Sequence, residues 1–295
     1  MTRLLLTLAG PAVAAGAVLI ILAVQLDQGL GTVYFLGVAL LLIGLLGQLL
    51  RGLRQKPREE RTTIPVAAPV RGRWRGLNSP ASKVPSHTHS LAQTYALDIT
   101  YEPVGAAPRA LDPWSRPMRR PTDFPSFGQP VLAPFDGVVL AARGTARDHL
   151  TRLSPLGLGY LILEGFVRSL GLPRHLLGNH VLLRATGPVA ADGSAAEGSS
   201  AEGGAVHGDG DVVAVLAHLR RGSLRVSPGD QVSAGDLLAE CGNSGNSSDP
   251  HVHFQLMDGP DIVTARGLPF TWHYRDEDGQ AVTGVPANEE LFTAS

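Results

Sequence analysis

The chain predicts a mostly β, antiparallel, barrel-sandwich-like domain preceded by two transmembrane helices. Three observations carry this. Two long uncharged runs open the sequence, short Val/Leu/Ile runs broken by Gly, Pro, Asp and Asn fill the rest, and no long amphipathic helical period appears. The 295 residues suffice for an anchor and one globular domain.

The first run spans about 4–26, after Arg3, and the second about 30–50, across a connection at Asp27-Gln28-Gly29. Each is close to the ~20 apolar residues that cross a bilayer. Residues 1–51 therefore read as a helical hairpin in lipid through residues 4–50. A signal peptide with a cleavage region in the Ala-rich 12–17 stretch is the rival for the first run. It would leave the second run still needing a membrane. Arg51, Arg54, Lys56, Arg58 and Arg61 follow the second span and favour a cytoplasmic flank by the positive-inside rule.

Residues 52–68 are charged and Pro-containing, a linker. Subtracting the six basic and three acidic residues of 1–61 from totals of 25 and 26 leaves 19 and 23, a net charge of −4. Such a domain is poorly suited to neutralising phosphates, so no nucleic acid is expected. Cys241 is the only cysteine, which excludes an intrachain disulfide and a cysteine-built zinc cage.

The globular domain is placed at 69–257. Its expected strands are Tyr95–Tyr101, Val131–Ala133, Gly137–Ala141, Tyr160–Leu163, His180–Arg184, Val212–Leu219, Gly235–Ala239 and Val252–Leu256. A weak helix is expected at Ala146–Arg152. Residues 187–211 are small and polar and read as a flexible insertion. Residues 258–295 form a C-terminal extension. Trp74 and Trp114 read as a lid over the sheet or as ordinary core.

Chemistry concentrates in few places. Cys241–Leu256 reads C-G-N-S-G-N-S-S-D-P-H-V-H-F-Q-L. On a strand, His251 and His253 share a face, ~7 Å apart along the backbone. Two imidazoles there suit a site in which one binds metal and the other handles protons, although incidental histidines on a strand give the same pattern. Asp98 sits in an apolar run, where an unpaired carboxylate is costly and a cation is its natural partner. His218 lies in the apolar Val212–Leu219 and, alone, reads equally as a satisfied core residue.

Tyr95-Ala96-Leu97-Asp98, Ala217-His218-Leu219, the V-x-x-G-D-x-V-x-x-G-D turn at 226–236, G-N-S-G-N-S and P-H-V-H-F together resemble the M23 (LytM or lysostaphin-type) zinc metallopeptidases. The resemblance covers 74–257. It implies one Zn2+ held by Asp98, His253 and a histidine ahead of the Gln93–Asp98 segment. It implies that His218 and His251 stand beside the metal as catalytic histidines. The usual first motif, H-x-G-x-D, has Thr94 where its histidine belongs. His87, after Pro85-Ser86, fits the upstream variant of that motif, and His89 is its rival.

The implied activity is endopeptidase cleavage of peptidoglycan peptides, in cross-links or stems. That would place the domain outside the cytoplasmic membrane, against the basic flank. H-E-x-x-H is absent, so no helical glutamate base is present. The alternatives are a non-catalytic LytM-like regulator binding a partner wall hydrolase, and a carrier module, for which the lysines, Lys56 and Lys83, lie outside any suitable hairpin.

Overall fold

The computed structural model describes residues 2–26, 31–57, 61–105, 118–187, 189 and 211–295. Two helices, α1 (Thr2–Gln25) and α2 (Thr32–Gln55), pack against each other. Both are long and apolar enough to cross a membrane. They meet through small residues: a Cβ on Gly16 would lie 2.6 Å from Gly37 O, and one on Gly44 2.6 Å from Val13 N. Close backbone approach of this kind is how helices associate where lipid removes the hydrophobic drive between them. The expected connection at 27–29 lies outside the described residues.

The rest is mostly strand. The elements are β1 (Ile64–Pro65), β2 (Gly72–Leu77), β3 (Leu97–Tyr101), β4 (Pro130–Leu132), β5 (Gly137–Arg143), β6 (His180–Ala185) and β7 (Val213–Ala217). There follow β8 (Gln231–Val232), β9 (Leu237–Glu240), β10 (Val252–Met257), β11 (Gly267–Leu268), β12 (Phe270–Arg275), β13 (Ala281–Gly284) and β14 (Leu291–Ala294). Two more helices, α3 (Pro155–Ser169) and α4 (Arg174–Leu177), lie between β5 and β6.

Among the described residues, twelve strands join one sheet in the order β1-β12-β14-β2-β3-β10-β7-β6-β5-β8, with β11 on β10 and β13 on β12. β4 and β9 pair separately. All pairings are antiparallel except β1 with β12.

β10 is buried along its whole length, and its alternating residues enter two different cores. Val252, Phe254 and Leu256 pack with Trp74, Phe270, Trp272 and Phe292. Met257 joins Val213, Val215 and Ala217 of β7, and this second core includes Leu6 from α1. The face carrying His253 and Gln255 is therefore the one against which the apolar hairpin docks.

Several expectations are corrected. Tyr160–Leu163 is not a strand but the middle of α3. The helix starts where Ser154 Oγ accepts from Gly157 N at 3.0 Å, with Pro155 in the first turn. Ala146–Arg152 is not helical. Its polar groups are drawn into long-range bonds: Ala146 N donates to Asn179 Oδ1 (2.7 Å), His149 N to Asn243 O (3.1 Å) and Arg152 N to Ser248 O (2.7 Å).

Within the expected linker 52–68, α2 continues to Gln55, and Ile64 and Val66 are core residues. The extension 258–295 supplies β11–β14. Trp74 is fully buried in the core rather than part of a lid, while Trp114 lies outside the described residues, as does nearly all of the insertion 187–211.

Candidate metal centre

Asp98 on β3 and His253 on β10 are direct cross-strand partners. The antiparallel ladder alone brings their side chains together. His253 Nδ1 lies 2.8 Å from Asp98 Oδ1, and His87 Nε2 lies 3.0 Å from Asp98 Oδ2. The donor atoms of His87, Asp98 and His253 all lie within 4.8 Å of one another. His251 Nε2 is 3.6 Å from Asp98 Oδ1. The His218 ring centroid stands 4.8 Å from that of His251 and 5.7 Å from that of His253. All five residues singled out by sequence thus cluster. Two of them, Asp98 and His251, line a cleft of about 370 Å³ together with Leu77, Asn78, Ser248, Asn288 and Glu289. His89, the rival of His87, does not join them; its Nδ1 lies 3.0 Å from Thr94 Oγ1.

The hydrogen bonds around the rings decide which nitrogen each offers. Ser86 Oγ gives its hydrogen to Ala96 O at 2.6 Å, so towards His87 Nδ1, 3.2 Å away, it can only accept. His87 therefore carries its proton on Nδ1 and turns a bare Nε2 to Asp98. His251 Nδ1 donates to Asp249 O (2.8 Å), which leaves Nε2 bare. Gln255 Nε2 donates to Leu91 O (2.9 Å), so Gln255 Oε1 accepts from His253 Nε2 at 3.0 Å and leaves Nδ1 bare. His218 Nδ1 donates to Ser244 O at 2.8 Å.

Three imidazole lone pairs thus aim at a carboxylate, acceptor against acceptor. Only added protons or a cation satisfy that arrangement. With protons in that role, burial opposes the charge on Asp98, but the His87 and His251 charges and the hydrogen bonds of His253 and His87 would hold its carboxyl well below the usual range. Burial likewise opposes a charge on His87, and Asp98 more than offsets it. Burial, then the neighbouring His251 and His253, push His218 far down, so it is neutral at physiological pH. A divalent cation meets the same geometric need without charging three rings. Imidazole nitrogen with carboxylate oxygen is a donor set that suits zinc.

Four supporting side chains escaped sequence reasoning. Asn78, at φ 46°, donates to Asp98 Oδ2 at 2.8 Å. Ser247 Oγ lies 3.1 Å from His251 Nδ1. Gln255 fixes His253, as described. Gln55, the fully buried last residue of α2, accepts from Leu91 N (2.8 Å) and donates to Ile262 O and Ala265 O (2.9 and 2.6 Å). A hydrogen-bonded path thus runs from α2 through Leu91 and Gln255 to His253. Only Gln255 had a signal within reach: it stands two residues beyond His253, on the same strand face.

His218 lies just past β7 with φ 61°, a conformation uncommon for a side-chain-bearing residue and frequent at functional positions. The Gly242–Ser248 loop beneath it is held by glycines in backbone contact. A Cβ on Gly178 (φ 64°) would lie 2.5 Å from Gly245 N.

Comparison with known proteins adds a family. The chain resembles the catalytic domain of the antimicrobial peptidase lysostaphin from Staphylococcus simulans (17% identity, 67% of this chain and 88% of that one, TM-score 0.32). It also resembles a point mutant of the catalytic domain of the prophage-encoded M23 protein EnpA from Enterococcus faecalis (15% identity, 72% and 92%, TM-score 0.30). A third likeness is to a zinc-containing peptidase from Vibrio cholerae (16% identity, 72% and 41%, TM-score 0.27). Residues 174–264 match Peptidase family M23; the match takes in His218, His251 and His253, with His87 and Asp98 upstream of it.

Proposed function

We propose that this chain is a membrane-anchored zinc metalloendopeptidase that hydrolyses peptide bonds of bacterial peptidoglycan, in cross-links or stems. The observation that carries the metal is the set of three bare imidazole nitrogens turned on one buried carboxylate. His87, Asp98 and His253 would hold the ion. When bound, zinc would acidify the attacking water towards a pKa of ~7 and polarise the scissile carbonyl.

The chain's own residues supply the rest. His251 Nε2, bare and beside Asp98, is placed to take a proton from the attacking water. His218 is kept neutral by burial, so it can accept a proton or orient the substrate without first losing one. Asp249 O and Ser244 O lock the Nδ1–H tautomers of the pair, which keeps both Nε2 atoms available. Asn288 and Glu289, in the turn between β13 and β14, also line the cleft. The peptidoglycan assignment draws on the M23 segment and the motif resemblance.

The anchor would be α1 and α2 in the cytoplasmic membrane. We place the peptidase domain outside it, because the wall substrate lies there. The basic flank is partly engaged within the protein: Arg61 pairs with Asp258 at 2.8 Å.

The test is mass spectrometry of soluble products after zinc-loaded full-length protein, in detergent micelles, is incubated with purified peptidoglycan. New peptide termini that vanish in His251→Ala are the expected result, and they identify the bond. Stoichiometric zinc with no new termini would instead support the non-catalytic, partner-binding reading.

A further inference from the structure

Helix α3 fits neither the domain core nor the sequence expectation. Its sequence, PLGLGYLILEGFVRS, is apolar on almost every side, and Gly157 is its one buried residue. Leu156, Ile162, Leu163, Phe166 and Val167 are between 57% and 79% exposed. In water such a surface on a single helix is a liability. Its two charged residues, Glu164 and Arg168, do not offset this, because they are paired with each other and, with Arg152, leave one net positive charge among three side chains. Glu164 pairs with the buried Arg152 and, at 2.7 Å, with Arg168.

The position of α3 says what covers it. Its C-terminal end abuts α1: a Cβ on Gly10 would lie 2.5 Å from Ser169 O and 2.8 Å from Leu170 C. Arg3, ion-paired with Asp261, marks the domain-side end of α1. Gly10 lies seven residues further along, about 10 Å of helix rise. The end of α3 thus meets α1 inside its apolar run, in which Leu4, Leu5 and Leu8 are also exposed.

We propose that α3 lies in the lipid bilayer beside α1, as a third membrane-embedded element that does not span it. Fifteen residues rise about 22 Å, short of the ~30 Å hydrocarbon core. The consequence is for the cleft. A Cβ on Gly165 would lie 3.0 Å from the Asn246 side chain, and Arg152 donates to Ser247 O at 3.1 Å. The loop that positions His218 and His251 therefore rests on α3. The lipid-held helix fixes that rim of the cleft at the membrane surface, so the enzyme works on peptide within reach of the bilayer. This inference rests on the membrane-anchored reading above.

The test uses full-length protein in nanodiscs, with an environment-sensitive fluorophore on single introduced cysteines. The native Cys241 is fully buried and stays unlabelled. Ile162→Cys and Val167→Cys report on α3, and Val18→Cys on α1. Several-fold quenching of the α3 probes by doxyl-labelled lipid, with little effect of aqueous iodide, is the expected result. Lipid quenching at position 18 together with iodide quenching at 162 and 167 would overturn the role of α3 and leave the anchor standing. Protection of 162 and 167 from both quenchers would overturn it in favour of burial against a second copy of the chain. No lipid quenching at any of the three positions would overturn the anchor itself, and α3 with it.

Discussion

The two halves of the candidate metal centre are built by different means. Asp98 and His253 sit on β3 and β10, held by consecutive backbone pairings: Val252 with Ile99, His253 with Asp98 and Phe254 with Leu97. Below them Phe254 packs against Phe270 and Trp272, with ring centroids 4.8 and 5.6 Å away. His87 instead comes from an irregular segment in which Leu91 and Ala92 both have positive φ. Its ring is set by Ser86, and the turn below it is tied by Gln55 and Gln255. The strand half is fixed by a ladder that no single side chain controls. The loop half hangs on a few side-chain hydrogen bonds, each worth about 0.5–1.5 kcal/mol net.

Asp98 belongs to both halves, so its loss should have the largest effect. Asp98→Ala removes the one anion among the proposed ligands and leaves three imidazoles around a hole. Zinc content, read by elemental mass spectrometry after dialysis, should fall from one equivalent to background. His218→Ala should keep its zinc while turnover drops by about 10²–10⁴-fold, the usual contribution of a proton-transfer group. Equal zinc loss in both variants would show that His218 is a ligand and that the division of roles is wrong.

Gln255 separates the halves more finely. Gln255→Leu leaves the ladder intact but frees His253 Nε2 and releases Leu91. Losing such a supporting partner typically costs 10–100-fold in metal affinity. Gln55→Leu, one step further along the path, frees the Leu91 N–H but leaves His253 bonded to Gln255. A smaller drop, within about tenfold, is expected, with faster amide exchange at Leu91. Competition with a zinc chelator measures both affinities. If Gln55→Leu weakened zinc as much as Gln255→Leu, the hairpin would be setting the metal site directly, and the strand half would not be independent of it.

The same contrast governs what the sequence reveals. His251, His253 and Asp98 were legible because a strand has a period of two, and a carboxylate in an apolar run calls for a cation. The hairpin was legible from length and hydropathy. Tyr160–Leu163 was misread because a short apolar run has no period that separates strand from helix; the deciding signal was Ser154-Pro155, several residues upstream. β2 was not expected as a strand because Arg and Gly interrupt its apolar pattern. β12 does alternate, with Phe270, Trp272 and Tyr274 buried, but β13 and β14 are only four residues each. It is Trp74, Trp272 and Phe292 meeting in one core that joins the C-terminal extension to the sheet. Nothing local marks Gln55 as a tether, because its partners are Leu91 and, more than two hundred residues along the chain, Ile262 and Ala265.

The choice between His87 and His89 belongs to this illegible half, and it yields the smallest expected effect. On a strand the two would share a face and compete for one ion. The segment is not a strand, and the geometry sends them apart. His89 directly precedes the 3-10 turn Ser90–Tyr95 and turns its ring back to Thr94 Oγ1, while His87 reaches Asp98. His89→Ala removes one partly exposed hydrogen bond. Zinc content should be unchanged and stability lower by no more than about 1 kcal/mol. His87→Ala in the same assay should lose most of its zinc, because two protein donors remain. Zinc retained in His87→Ala but lost in His89→Ala would mean that the loop rearranges around the ion. The hydrogen bonds of Ser86 and Thr94 would then hold a resting arrangement, and the loop half would be remade each time metal enters.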